Sequence, residues 1–420
     1  MPNYPGDAFV VSLQEEVGKT YAEAGQALDL ANVVWAGRAL FDIGAGMSPE
    51  ASRVKHLGEL RRVLGLPSIV APVPPILRLK AEGRRLTDES GKPFRYRGLT
   101  SFRLLEQMVK GQEVTVEDTL RWCRDHDVRV VRVFAMCWNL FKLYPLEAAP
   151  RLRALLDLAA KYGVYVELVA LVDTASFPNL DFKAQLDRCD LDHPALLLEG
   201  ANEIDPLHPT QDPRIVEICK AWRPTNGALY AEGSTHDTQD ESDSLAGGDY
   251  LTVHFSRADG DGGFRWVRHT KEGWNLSDKV DKFVVNDEPR RDDLTPAKHF
   301  AMGVLCRLCG LGDTFHYRDG LQSLPPQGAE LAAFDARRQG WAALPTDFEG
   351  DFKNSMWTDG PVKTFDTSAV VRIYHSLGDR VGYSLLIGKT GDPRIEWQGG
   401  WQPSVSLYDA GGVQLYRIVR

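Results

Sequence analysis

Between residues 96 and 317 short apolar runs alternate with stretches of helical period, and few architectures accept such a pattern. The runs fall at 96–101, 128–134, 164–171, 195–199, 228–231, 250–254, 282–285 and 314–317. Several are apolar at consecutive positions, as in Leu196-Leu197-Leu198 and Phe283-Val284-Val285, the pattern of a strand buried on both faces. Helical stretches lie between them at 117–126, 151–162, 182–190, 213–222, 263–274 and 296–308. Strands linked by helices run parallel, because a parallel partner requires a long crossover. Eight such strands in order predict an α/β chain whose centre is a (β/α)8 TIM barrel rather than an open sheet. The weakest crossover is THDTQDESDSLAGG, between the fifth and sixth runs, which reads as mostly loop.

The flanks read differently. Val17, Tyr21, Ala24, Leu28 and Ala31 recur at helical spacing, as do Leu57, Leu60 and Leu64, so residues 1–75 form a helical module. It ends in the proline-rich connector APVPP. A hairpin signal around Glu89-Ser90-Gly91-Lys92 introduces the barrel domain, 76–345. In 346–420 the helical period disappears. Apolar runs at 369–376, 382–387, 404–408 and 414–419, separated by Gly-rich turns, predict a C-terminal antiparallel β-sandwich.

With 43% hydrophobic and 25% charged residues the chain can bury a large core. Its formal net charge of −9 and the lack of a basic stripe argue against nucleic acid as a partner, though Arg and Lys can still gather locally in a cleft and admit an anionic substrate. No apolar run is long enough for a membrane span. The first residues lack the basic start and apolar core of a secretory signal, so cellular location stays open, as does oligomeric state. Six scattered cysteines are expected to be buried free thiols. Cys306-x-x-Cys309, on an apolar helix with no second ligand pair, makes a poor metal or redox site. Neither His236, Asp237 and His254 nor the Gly-x-Gly of LFDIGAGMS has a metal-binding or nucleotide-binding spacing, so no cofactor and no metal is expected.

The chemistry-bearing residues gather where barrel strands end. Asn202-Glu203 follows the fourth run and Asp287-Glu288 the seventh. The C-terminal face of such a barrel is the one that carries active sites. Two carboxylates placed there meet the requirement for cleaving a glycosidic bond. Which of Asp287 and Glu288 points inward is open, since a shift of one residue reverses the face. Trp138, beyond the second strand, and Trp266 and Trp274, after the sixth, offer aromatic faces for sugar rings or for helix packing. Asp173 and Glu232 also follow strand ends, without an assigned role.

On Asn202-Glu203, Glu288 and the second-strand Arg132, residues 77–340 resemble a clan A glycoside hydrolase barrel, the superfamily of cellulases, mannanases and related retaining β-glycosidases. The resemblance implies a carbohydrate substrate, Glu203 as general acid/base, Glu288 as nucleophile, Asn202 on the substrate 2-hydroxyl and Arg132 orienting the nucleophile. It also implies that His254, ending the sixth strand, touches the nucleophile. An acid at position 203 must hold its proton near neutrality, and the charge of an ionised Glu288 favours that. The chain departs from the pattern in three places. Ser256 stands where relatives carry a tyrosine, and Ile204 where many have proline. The eighth strand reads Phe315-His316-Tyr317-Arg318 where a tryptophan is usual, leaving His316 or Tyr317 to replace it. A second expectation is a non-catalytic carbohydrate-binding or attachment protein on the same barrel. A third is a metal-dependent hydrolase.

Overall fold

The computed structural model describes residues 75–204, 209–235, 242–258, 265–268 and 270–342, five strands between 369 and 418, and seven positions in the first 74 residues. The chain divides into two compact units, Met1–Pro75 and Ile76–Arg420. In the first unit, Val17, Leu57 and Leu60 are helical and buried.

The second unit opens with a small antiparallel sheet of Leu79–Glu82, Arg85–Asp88 and Pro93–Phe94. The expected turn around Gly91 is present, held by Asp88, whose carboxylate accepts from the Ser90 and Lys92 N–H groups at 2.9 and 3.1 Å. An earlier turn at Gly83, with φ of 56°, adds the strand that the sequence pattern did not separate.

Eight parallel strands follow: Arg97–Thr100, Val130–Phe134, Tyr165–Leu171, Leu196–Ala201, Leu229–Ala231, Leu251–Val253, Val284–Asn286 and Gly312–Phe315. The eighth pairs with the first, and hydrogen-bonded ladders join every neighbour except the fifth and sixth. At that seam the Asp249 N–H donates to the Tyr230 carbonyl at 2.6 Å, while the Asp249 carboxylate accepts from the Tyr230 N–H at 2.9 Å. The crossover leading there contains the 3-10 turn Ser242–Leu245, and its residues 236–241 lie outside the described ones. The nearly closed, helix-flanked sheet is a (β/α)8 barrel.

Side chains alternate between the inside of the barrel and the helix layer. Val130 and Leu197 belong to an inner apolar cluster with Leu79 and Leu86 of the entry sheet. Their neighbours Val131, Leu196 and Leu198 belong to the outer cluster with helix residues such as Leu120, Leu155 and Leu186. Two steps beyond Val130 and Leu197 on the same inner face come Arg132 and Glu199, so the apolar floor gives way to charge toward the C-terminal rim. Two helices escaped the periodicity. Leu104–Val109 is only 6 residues long, and Gly328–Ala342 follows the last barrel strand.

The C-terminal strands form one antiparallel sheet in the order Ile395–Gly399, Val381–Ile387, Ala369–Leu377, Val405–Asp409, Gln414–Ile418. Ile395–Gly399 was not anticipated, and no sheet facing this one is among the described residues.

Gly200 shows how tightly the fourth strand meets its surroundings. A Cβ there would lie 2.5 Å from Tyr230 Oη, 2.6 Å from the Glu232 carbonyl and 3.0 Å from Cys219 Sγ. Gly200→Ala is therefore expected to cost about 1–3 kcal/mol through overpacking, read as a fall in Tm. An unchanged melt would show that the strand can move outward freely.

Candidate active site

At the end of the fourth strand the backbone turns sharply. Glu203 has φ of 48°, a left-handed conformation that costs a side-chain-bearing residue about 1–2 kcal/mol. The turn is pinned by Ser234, whose hydroxyl accepts from the Glu203 N–H at 3.3 Å. It presents the Glu203 carboxylate 3.6 Å from His254 Nδ1. Glu288 arrives from the seventh strand, and carboxylate oxygens of Glu203 and Glu288 lie within 4.8 Å of one another beside His254. The two glutamates meet at one place beyond the strand ends.

Arg132 organises the floor beneath them. It is fully buried and sits over the Phe102 and Phe134 rings, 5.6 and 5.7 Å from their centroids. Its guanidinium donates to Glu199 (2.9 and 3.1 Å), Asn202 Oδ1 (2.8 Å) and Glu288 Oε1 (2.7 Å). Its Nε also lies 3.0 Å from an oxygen of Asp287. Below it, Glu167 accepts from the Tyr96 and Tyr250 hydroxyls at 2.6 and 2.9 Å. Glu167, Glu199 and Asp287 bring carboxylate oxygens within 4.8 Å of one another, all buried. Acid outnumbers base here, so protons fill the deficit. Burial, with Asp287 close by, pushes Glu167 up to about 7 against the pull of Arg132. Burial pushes Glu199 up to about 8 despite the same guanidinium.

Glu288 goes the other way. Burial would raise it, but His254, Arg132 and Arg257 together hold its carboxyl well below the usual range. His316 Nε2 is 3.9 Å from Glu288 Oε2. Burial pushes that imidazole down to about 3, so near neutrality it is a dipole without a full charge. Its Nδ1 is 2.9 Å from Thr100 Oγ1. His254 is the charged one. Burial disfavours its cation, yet Glu288, Asp287 and Glu203 outweigh burial and raise it to about 10. It lies 3.3 Å from Asp287 and 4.0 Å from Glu288, so it bridges both glutamates instead of touching Glu288 alone.

The question of Asp287 or Glu288 dissolves, because both are buried and both meet Arg132. They lie just past the strand, where strict alternation no longer applies. Both Glu203–His254–Glu288 and Glu167–Glu199–Asp287 have metal-like spacing, but Arg132 and His254 already supply positive charge beside these carboxylates.

The remaining candidates divide. Asn202 is in the site, turned toward Arg132. Trp138 is 36% exposed, next to exposed Tyr144, with ring centroids 5.8 Å apart. Its loop is held by Asp173, which accepts from the Trp138 and Asn139 N–H groups at 2.9 and 2.8 Å. Trp266 is a correction. It is buried and packs on His299 at 5.4 Å between ring centroids, closed to a sugar. Tyr317 is another, because the residue after inward His316 faces the outer layer. Its ring stacks on Phe315 and its hydroxyl donates to the Leu324 carbonyl at 2.6 Å. The side chain of Trp274, and His236 and Asp237, lie outside the described residues. Glu232 is buried in an ion pair with Arg223 at 2.8 Å. All six cysteines are free and buried.

Sequence reasoning missed Glu167, Glu199 and Arg257. The first two carried a signal, since each is the charged residue of an apolar strand and shares the inward parity of its neighbours two positions away. Arg257, in a loop, carried none.

No protein-family model matches the chain, and no curated protein does. Solved structures do. A candidate glycoside hydrolase from Bacteroides vulgatus is 12% identical with a TM-score of 0.50, the match covering 80% of this chain and 82% of that one. A family 5 glycoside hydrolase from the same organism is 13% identical with a TM-score of 0.47, over 82% and 90% of the two chains. A family 5 mannosidase from Rhizomucor miehei is 12% identical with a TM-score of 0.47, over 64% and 97%. At this identity what the first of these shares with the chain is the fold.

Two outcomes follow from the geometry. Glu199 and Glu167 bind protons more tightly folded than unfolded, so their contribution to stability is complete below pH 4.5 and is lost as pH rises through about 7 to 8. Tm should fall over that window, and Glu199→Gln should flatten the fall; parallel curves for variant and parent would refute the assignment. The left-handed turn at position 203 predicts that Glu203→Gly raises stability by about 1 kcal/mol while removing the carboxylate. A Tm several degrees below the parent would show that the His254 contact matters more than the backbone strain.

Proposed function

We propose that the chain is a retaining glycoside hydrolase acting on a β-linked oligo- or polysaccharide. The observation that carries this reading is the approach of Glu203 and Glu288 within 4.8 Å at the C-terminal end of a barrel. Retaining enzymes hold their two carboxyl groups about 5–5.5 Å apart, whereas inverting ones need about 6.5–9.5 Å to admit a water.

In the first step the Glu288 carboxylate attacks the anomeric carbon. The bond from that carbon to the leaving oxygen breaks, and Glu203 gives its proton to that oxygen. A glycosyl ester on Glu288 results. In the second step Glu203, now a carboxylate, takes a proton from water as the water oxygen bonds the anomeric carbon and Glu288 leaves. The environments support this division of labour. Glu288 is caged by cations that keep it ionised, while Glu203 is the more open carboxyl, 16% exposed. Asn202, fixed by Arg132, would meet a sugar hydroxyl. Trp138, at the rim, would offer a face to a neighbouring ring. The C-terminal sheet is read as one layer of a β-sandwich spanning 346–420, and residues 1–75 as a separate helical module.

A second reading, a carbohydrate-binding protein without hydrolysis, draws on the same cage, since a carboxylate so heavily neutralised is a weak base. One experiment separates them. Reducing ends released from a panel of β-linked glycans should fall to background in Glu288→Gln and by about 10²–10⁴-fold in Glu203→Gln. The first-formed product should keep the β configuration by NMR. Glycan binding without release would favour the second reading, and an inverted product would end the double-displacement mechanism.

A further inference from the structure

The loop after the sixth strand places a cation beside Glu288. Ser256, in the position usually held by a tyrosine, is followed by Arg257, whose guanidinium closes over residue 288. Arg257 Nε donates to the Glu288 carbonyl and Nη2 to its Oε2, each at 3.1 Å. The Arg257 side chain is 28% exposed, whereas that of Arg132, which holds the other carboxylate oxygen, is 0% exposed. The two loops are tied together, with Arg290 Nη1 donating to the Arg257 carbonyl at 3.3 Å. Next to it Arg291 is exposed and has no carboxylate partner among the described residues. A chain of formal net charge −9 thus brings arginines together at the lip beside Glu288.

The two guanidiniums on Glu288 have different consequences. Arg132 is locked among buried carboxyls and cannot leave. Arg257 reaches in from the mouth and occupies the second oxygen of the carboxylate that must attack carbon, lowering its nucleophilicity. A neutral sugar has nothing of equal strength to offer that guanidinium in exchange. A carboxylate or sulfate does, because a guanidinium pairs with such anions through two parallel, charge-assisted hydrogen bonds.

We propose that Arg257, supported by Arg291, recognises an anionic group of the substrate, so that the glycan accepted by this site carries a carboxylate or sulfate close to the scissile linkage. The proposal rests on the hydrolase assignment above for the identity of the scissile bond. Engaging the anion draws Arg257 away from Glu288, so the group that is recognised also frees the nucleophile.

The test uses the full chain and three matched sets of β-linked oligosaccharides: neutral, uronic-acid-containing and sulfated. Affinities are measured by calorimetry on Glu203→Gln, which keeps bound sugars intact, and reducing-end release is measured on the parent. At low salt at least one anionic set should bind about ten-fold or more tightly than the neutral set, and added salt should narrow the gap. The two anionic arms tell carboxylate from sulfate. Adding Arg257→Gln should close the gap and Arg257→Lys should retain part of it, whereas a merely structural arginine would weaken all sets alike. Equal affinities across the sets, or a gap that survives Arg257→Gln, overturns the proposal. A gap that depends on Arg257 without any release of reducing ends leaves anion recognition standing and removes the hydrolase assignment. Release from neutral sugars with no gap does the reverse.

Discussion

A single buried guanidinium holds the site together. Arg132 rises from the second strand into a ring of acids contributed by the fourth and seventh strands, with a third-strand glutamate just below. Burying one such cation unpaired would be prohibitive, and so would burying these carboxyls without it. Together they are tolerable because the guanidinium has donors enough to serve Glu199, Asn202 and Glu288 at once while Asp287 lies against its Nε. The positions of Asn202 and Glu288 are therefore not independent. Each is located by the same planar group, which fixes their spacing far better than two separate loops would.

Local charge then sets the two glutamates apart. Glu288 faces Arg132, Arg257 and the His254 imidazolium, and it stays ionised even though it is buried. Glu203 lies beside the His254 cation at 3.6 Å and is nearer the solvent. The deeper acids, Glu167 and Glu199, are fully buried beside Asp287, and burial outweighs the cations near them, so they keep protons instead. Carboxyl groups a few ångströms apart thus differ in protonation because the cations are distributed unevenly among them.

Much of this was legible in the sequence, and the failures have physical causes. The strand count, Glu203 and Glu288 could be read because a buried parallel strand is a run of apolar residues and its end is marked by the first polar ones; Arg132, inside the second strand, was implied by the family resemblance. Trp266 and Tyr317 were misjudged because an aromatic residue near a strand end carries no sign of which layer it enters; parity with inward His316 sends Tyr317 to the helices. Arg257 was invisible, since loop geometry decides where a long, flexible side chain lands. His254 was half visible. Its place on the sixth strand could be read, but its charge depends on three acids that approach from elsewhere in the chain.

The seam in the barrel lies beside the same residues. The ladder fails between the fifth and sixth strands, and Ser234, just past the fifth, and His254, just past the sixth, flank the gap. Ser234 donates to Glu199 at 2.9 Å and receives the Glu203 N–H, so it anchors both the deep acid and the strained turn. Beside this seam the left-handed turn at position 203 brings its carboxylate to 3.6 Å from His254. The strained backbone of Glu203 is thus held by side-chain contacts, the Ser234 hydroxyl on its N–H and His254 beside its carboxylate, at the end of a strand next to the one place where ladder pairing stops.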